Sequence, residues 1–92
     1  MNIGDRVGAI LKADLETVYL LGYGVFDGDQ VLPERLALFP GHLNPRLTLD
    51  NGRQVFQVQC YWGTEDEIKN AIGKRKVINV GPQELINNGK IK

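Results

Sequence analysis

Apolar and polar residues alternate on both sides of Asn51-Gly52, from Arg46 to Trp62. Period-two alternation places successive side chains on opposite faces of a strand. Asn-Gly between two such runs is a strong hairpin signal, because both residues tolerate the positive φ that a type I′ turn requires. A two-residue loop would set Leu49 against Gln54, Thr48 against Val55 and Leu47 against Phe56. One face then collects Leu47, Leu49, Phe56, Val58, Cys60 and Trp62. The other collects Thr48, Arg53, Gln57, Gln59 and Tyr61. That is an antiparallel sheet with a dry face and a wetter one.

After Trp62 the period changes. Thr64 and Glu67 have the spacing of a capping box, and Glu65, Asp66 and Glu67 suit the positive end of a helix dipole. Ile68, Ala71 and Ile72 supply an i, i+3, i+4 apolar face before Gly73, so a helix is predicted over 65–72. The acidic triplet reads as helix-start chemistry, since a carboxylate metal site needs further ligands nearby.

Toward the N-terminus, Arg6–Leu11 reads as a first strand after the Ile3-Gly4-Asp5 turn, with a connection over Lys12–Glu16. Thr17–Phe26 reads as a second strand, apolar on both sides. Val18, Leu20 and Phe26 share one face, and Tyr19, Leu21, Tyr23 and Val25 the other. Gly22 and Gly24 indicate a bulge, a bend or close packing beneath a large neighbour such as Trp62. Gly22-Tyr23-Gly24 lacks the third glycine and following helix of a nucleotide-binding loop. Asp27-Gly28-Asp29 reads as a turn, without the later oxygen ligands of a calcium loop. Residues 28–45 then form a long, proline-containing excursion. Pro33–Phe39 is expected to make one or two helical turns, with Leu36 and Phe39 pinning it to the core. Further on, Lys76–Val80 reads as a short strand, Gln83–Ile86 as a helical turn, and residues 90–92 as a frayed end.

Composition narrows the chemistry. Ninety-two residues fit a single domain with a modest core. The single cysteine excludes an internal disulfide and a cysteine-based zinc site, and it is expected to be buried and unreactive beside Phe56, Val58 and Trp62. His42, the only histidine, has no Ser, Cys or carboxylate partner at a diagnostic spacing. No catalytic constellation is visible, and no cofactor is implied. There is neither a signal-peptide pattern nor an apolar run of the roughly 18 residues that span a membrane, so a cytoplasmic protein is expected. Net charge is zero but unevenly spread. Residues 1–67 carry 5 basic and 10 acidic side chains, residues 68–92 carry 6 and 1. The excess centres on Lys74-Arg75-Lys76.

Ile3-Gly4-Asp5-Arg6-Val7-Gly8-Ala9-Ile10, with Gly22–Asp29 and Cys60-Tyr61-Trp62-Gly63, resembles a group of small uncharacterised bacterial proteins of the kind carried on mobile integron gene cassettes. The resemblance covers most of the chain and implies no activity and no functional residues.

The expected fold is α+β. It is a strongly bent antiparallel sheet, or SH3-like small barrel, of about five strands with one short amphipathic helix and a short C-terminal helical turn. A non-enzymatic protein-binding or self-assembly module is the leading functional reading, with Tyr19, Tyr23, Tyr61 and the 28–45 loop as its surface. An eight-residue helix spans about 12 Å, against about 33 Å for a ten-residue strand. Cover for the Tyr19, Leu21, Tyr23, Val25 face comes either from the 28–45 loop, through Leu36, Leu38 and Phe39, or from a second copy, and a homodimer is the expectation. Two alternatives remain open. One is nucleic-acid binding through Lys74, Arg75 and Lys76 with an exposed tyrosine stacking on bases. The other is a small-molecule pocket between the long loop and the sheet, lined by Phe39, Trp62 and His42.

Overall fold

The computed structural model describes residues 1–81. The helical turn expected at Gln83–Ile86 and the end at 90–92 lie outside the described residues. Among the described residues six strands form one sheet: β1 (Arg6–Ala13), β2 (Thr17–Val31), β3 (Leu43–Leu49), β4 (Gln54–Phe56), β5 (Tyr61–Thr64) and β6 (Lys76–Asn79). The main path runs β4-β3-β2-β1-β5, every neighbour antiparallel, and β6 pairs with β2 in parallel. One α-helix occurs among the described residues, α1 (Glu65–Ile72), and it follows β5 directly. The architecture is α+β.

The hairpin forms where Asn51-Gly52 indicated, but its register differs by one residue. Gly52 N donates to Leu49 O (2.8 Å) and Leu49 N to Arg53 O (2.7 Å), closing a three-residue loop. Only Gly52 takes a positive φ, 90°. Asn51 instead accepts Arg53 N on Oδ1 at 2.9 Å. A type I turn with glycine in the left-handed position spares asparagine the strain that a type I′ turn would impose. The pairs are therefore Thr48–Gln54, Leu47–Val55 and Arg46–Phe56. Val55, expected on the wetter face, is buried with Leu47 and Leu49, and Phe56 sits opposite Arg46 instead.

The strand expected to run on to Trp62 stops at Phe56. A 3₁₀ turn over Gln57–Gln59 intervenes, leaving Val58 exposed. β5 then pairs with β1 at the opposite edge of the sheet. That detour bends the sheet. A flat five-strand path would separate its edge strands by about 19 Å at 4.8 Å per strand, whereas Phe56 to Tyr61 with a 3₁₀ turn reaches only about 13 Å. The sheet accordingly curls around Val7, Ala9, Leu21, Leu47, Leu49 and Val55. Phe26 and Trp62 stack against this cluster with ring centroids 5.6 Å apart. No β4–β5 ladder occurs among the described residues, so the curl stays open.

The second apolar layer lies under α1. Ile68 and Ile72 pack on Ile10, Val18 and Leu20, with the Tyr23 ring beside them. This splits the face assigned to Tyr19, Leu21, Tyr23 and Val25. At a bulge opposite Ala9–Ile10, Leu21 is the extra residue of β2. Leu21 consequently joins the curled core, whereas Tyr23 joins the helix layer. Phe26, expected with Val18 and Leu20, also lies in the curled core. Both layers are covered by this chain itself, so neither requires a second copy.

The helix start is as expected. Glu67 N donates to Thr64 Oγ1 (3.1 Å), and Thr64 N donates to Glu67 Oε1 (2.8 Å). Gly73 ends the helix at φ 58°. Thr64→Ala leaves one helix-end donor without its acceptor and is expected to cost about 1 kcal/mol in chemical denaturation. An unchanged midpoint would reject the capping arrangement.

Candidate functional site

Two surfaces draw on the residues singled out in the sequence. The first is the arm formed by the far ends of β2 and β3. β2 continues five residues past Phe26, so Asp27-Gly28-Asp29 is not a turn; it spans a bulge within the strand. Asp27 fixes it in place. Its Oδ2 accepts Arg46 Nε at 3.1 Å and the Thr48 hydroxyl, while its carbonyl accepts Gln30 Nε2 at 3.0 Å. Beyond the bulge, Asp29, Gln30 and Val31 pair with Pro45, Asn44 and Leu43. The excursion thus shrinks to residues 32–42, closed by Leu32 N donating to His42 O at 2.8 Å.

Within that loop, Pro33 opens a single 3₁₀ turn over Glu34–Leu36. The buried anchor is Leu32, 3% exposed, rather than Phe39. Leu36 is half-buried, while Phe39 is 57% and Leu38 86% exposed. Pro40-Gly41 carries the chain back so that His42 stacks on Phe39, centroids 4.7 Å apart, and its Nδ1 accepts Leu38 N at 3.2 Å. His42 is a loop-ordering residue in this geometry. A groove of about 390 Å³ runs along Val31, Leu32, Ala37, Leu38, Phe39 and Pro40. Exposed Leu43, registered to exposed Val31 on the neighbouring strand, adds to the apolar surface of the arm tip. Trp62 does not line this groove, being stacked on Phe26, so the pocket of Phe39, Trp62 and His42 is not assembled.

The three tyrosines do not form one surface with the loop. Tyr23 lies over Gly8 and against Ile68, where its ring packs the helix layer. Strand alternation from Val18 and Leu20 puts Tyr19 on the other face, under the Lys12 ammonium at 4.9 Å. Tyr61 is exposed on β5.

The second surface is the basic end. Arg75 is committed to the scaffold. Its guanidinium donates to Ile72 O (3.3 Å), Asp14 O (2.8 Å) and Ala71 O, binding the helix C-terminus to the β1–β2 turn. Lys74 and Lys76 are exposed, and β6 sets Lys76 beside Thr17. Lys12, expected in a connection, lies instead on β1 and joins them through its pairing with Tyr19. Only the parallel β6–β2 register creates this grouping, and the local sequence carries no signal for it.

Cys60 is half-buried, its Sγ 3.6 Å from Phe56 O, and burial pushes its thiol up to about 12. A thiol so poorly ionised is a weak nucleophile. Among the described residues no three His, Cys, Asp or Glu side chains are grouped to hold a metal ion, and no helix is long and apolar enough to cross a membrane. Comparison with known proteins returns no matching family, no matching curated protein and no matching solved structure.

Proposed function

We propose that the protein is a non-enzymatic self-assembly module that joins a second copy of itself through the arm of β2 and β3. The scaffold is read as an SH3-like small barrel left open on one side. The path β4-β3-β2-β1-β5, with a 3₁₀ turn between β4 and β5, supports that reading.

The observation that carries the proposal is the exposure of Val31, Leu38, Phe39 and Leu43 together at the arm tip. Isolated exposed apolar residues are ordinary, but a contiguous group around a groove marks an interaction surface. The arm is also a two-stranded ribbon at residues 29–31 and 43–45, because β1 pairs only as far as Val25 and β4 only with Arg46–Thr48. Two strands alone are marginal in water, so added cover stabilises them. Glu34 and Arg35, both exposed and adjacent, bring opposite charges to the same surface. A two-fold axis would set each against its opposite in the partner, as an isologous interface requires.

Light scattering behind size exclusion, at micromolar concentration, is expected to give the mass of two chains. Leu38→Ser with Phe39→Ser should return it to one chain without changing the circular dichroism. A one-chain mass for the parent, or a double variant that stays dimeric, would reject the arm as the interface.

A further inference from the structure

The cations outside ion pairs are not scattered evenly. Arg6 is held by Asp50 and Glu65, Arg46 by Asp27, and Lys69 by Glu65. Of the six side-chain cations in no ion pair among the described residues, Arg35 lies in the arm loop and Arg53 beside the hairpin turn, whereas Lys12, Lys74, Arg75 and Lys76 lie at one end of the sheet. There, β1, the start of β2 and β6 run side by side. Lys12 is registered to Tyr19, Tyr19 to Ile78, and Thr17 to Lys76. Neighbouring registered residues share a face, and so do Thr17 and Tyr19, two apart along one strand. Lys12, Tyr19 and Lys76 therefore stand on one face, Lys12 on the strand to one side of Tyr19 and Lys76 on the strand to the other, opposite Thr17. Lys12 Nζ is already 4.9 Å from the ring centroid.

We propose that this row is a binding site for single-stranded nucleic acid. A half-exposed aromatic ring offers a base a stacking surface, and cations on either side meet the flanking phosphates. A duplex, with its bases already stacked and paired, can use only the cations. Asp14 and Glu16 offset part of the charge of Lys12, Lys74, Arg75 and Lys76, and the end stays net positive. Asp14 Oδ1 is taken up by Glu16 N (2.8 Å) and Thr17 N (2.7 Å), ordering the β1–β2 turn. That leaves exposed Glu16 as the neighbouring carboxylate without such a tie. Arg75 contributes as a positioning residue, fastening that turn to the end of α1 just ahead of β6. The site lies at the opposite end of β2 from the arm tip and is independent of the self-assembly proposal.

Fluorescence anisotropy with labelled oligothymidylate and oligouridylate, and with a duplex of mixed sequence, tests this. At about 50 mM salt both single strands should bind more tightly than the duplex, weakening as salt rises. Tyr19→Leu should reduce single-strand affinity by roughly ten- to a hundred-fold, the range expected for one lost base–aromatic stack. Tyr19→Phe, which keeps the ring, should bind within about twofold of the parent. Lys12→Gln with Lys76→Gln should flatten the slope of log affinity against log salt by about 1.4, two contacts at roughly 0.7 each. Absence of binding at low salt, equal affinity for duplex, or a folded Tyr19→Leu variant that binds like the parent would each overturn the proposal.

Discussion

Replacing Gly24 with alanine is expected to cost the fold about 3 kcal/mol or more, at or beyond the upper end of ordinary overpacking. A Cβ built at Gly24 would lie 2.1 Å from Thr48 O and 2.5 Å from Leu49 Cα. Both obstructing atoms belong to the backbone of β3, so no side chain can rotate aside. The clash also falls where β2 and β3 are registered, Gly24 with Leu49 and Val25 with Thr48, beside buried Leu47 and Leu49. Relief would require the two strands to separate and expose that layer. For a domain of this size the loss is equivalent to a fall in Tm on the order of 15 °C. Thermal and urea unfolding followed by circular dichroism measure it. Parent-like stability of Gly24→Ala would mean that β2 and β3 do not approach as described.

Ile68→Ala carries the second large effect, about 2–5 kcal/mol. Ile68 is fully buried and, with Ile72, forms the apolar face of an eight-residue helix. A helix that short is not stable alone and depends on its docking. Truncation opens a cavity among Ile10, Val18, Leu20 and Tyr23. The Tyr23 ring cannot refill it freely, because it is already in close contact with Gly8. Ile68→Val, which keeps most of the volume, should cost only about 0.5–1.5 kcal/mol. Equal urea midpoints for the alanine and valine variants would show that α1 does not pack through this residue.

These two sites also mark what the sequence made legible. The helix was readable because Thr64, Glu67, Ile68, Ile72 and Gly73 act within one short segment. The hairpin was readable for the same reason, although Asn51 could not reveal that its side chain, rather than a positive φ, would serve the turn. Gly22 and Gly24 signalled an irregularity beside Leu21 without its partner, and the bulge at Asp27–Gly28 gave no signal. Both bulges depend on partners far along the chain, Ala9–Ile10 for one and Arg46 with Thr48 for the other. Alternation through Gln57, Val58 and Gln59 likewise gave no sign of the 3₁₀ turn, since a strand and a bend can share that pattern. The arm tip was half-legible. Residues 28–45 stood out as a functional excursion, yet the strand pairs inside it were hidden, and Phe39 was assigned to the core when it faces solvent. Of the basic triplet, Arg75 turned out to serve the backbone, a role fixed by the nearness of Asp14 O, 61 residues away.

The pairing of β1 with β5 has a consequence for how the chain acquires its shape. Val7 is registered to Thr64, so this contact closes a loop of more than half the chain, whereas β1–β2, β2–β3 and β3–β4 close through neighbouring segments. Loop closure of that length is an entropic cost met before the contact returns anything, and non-local pairing slows folding. On a ribosome, the first four strands emerge and can pair while Tyr61–Thr64 and α1 are still enclosed in the exit tunnel. During that interval the β1 edge and the apolar residues Ile10, Val18 and Leu20 stand open to any other nascent chain. The arrival of β5 and α1 closes both at once, because they are consecutive in the sequence and cover adjacent parts of β1.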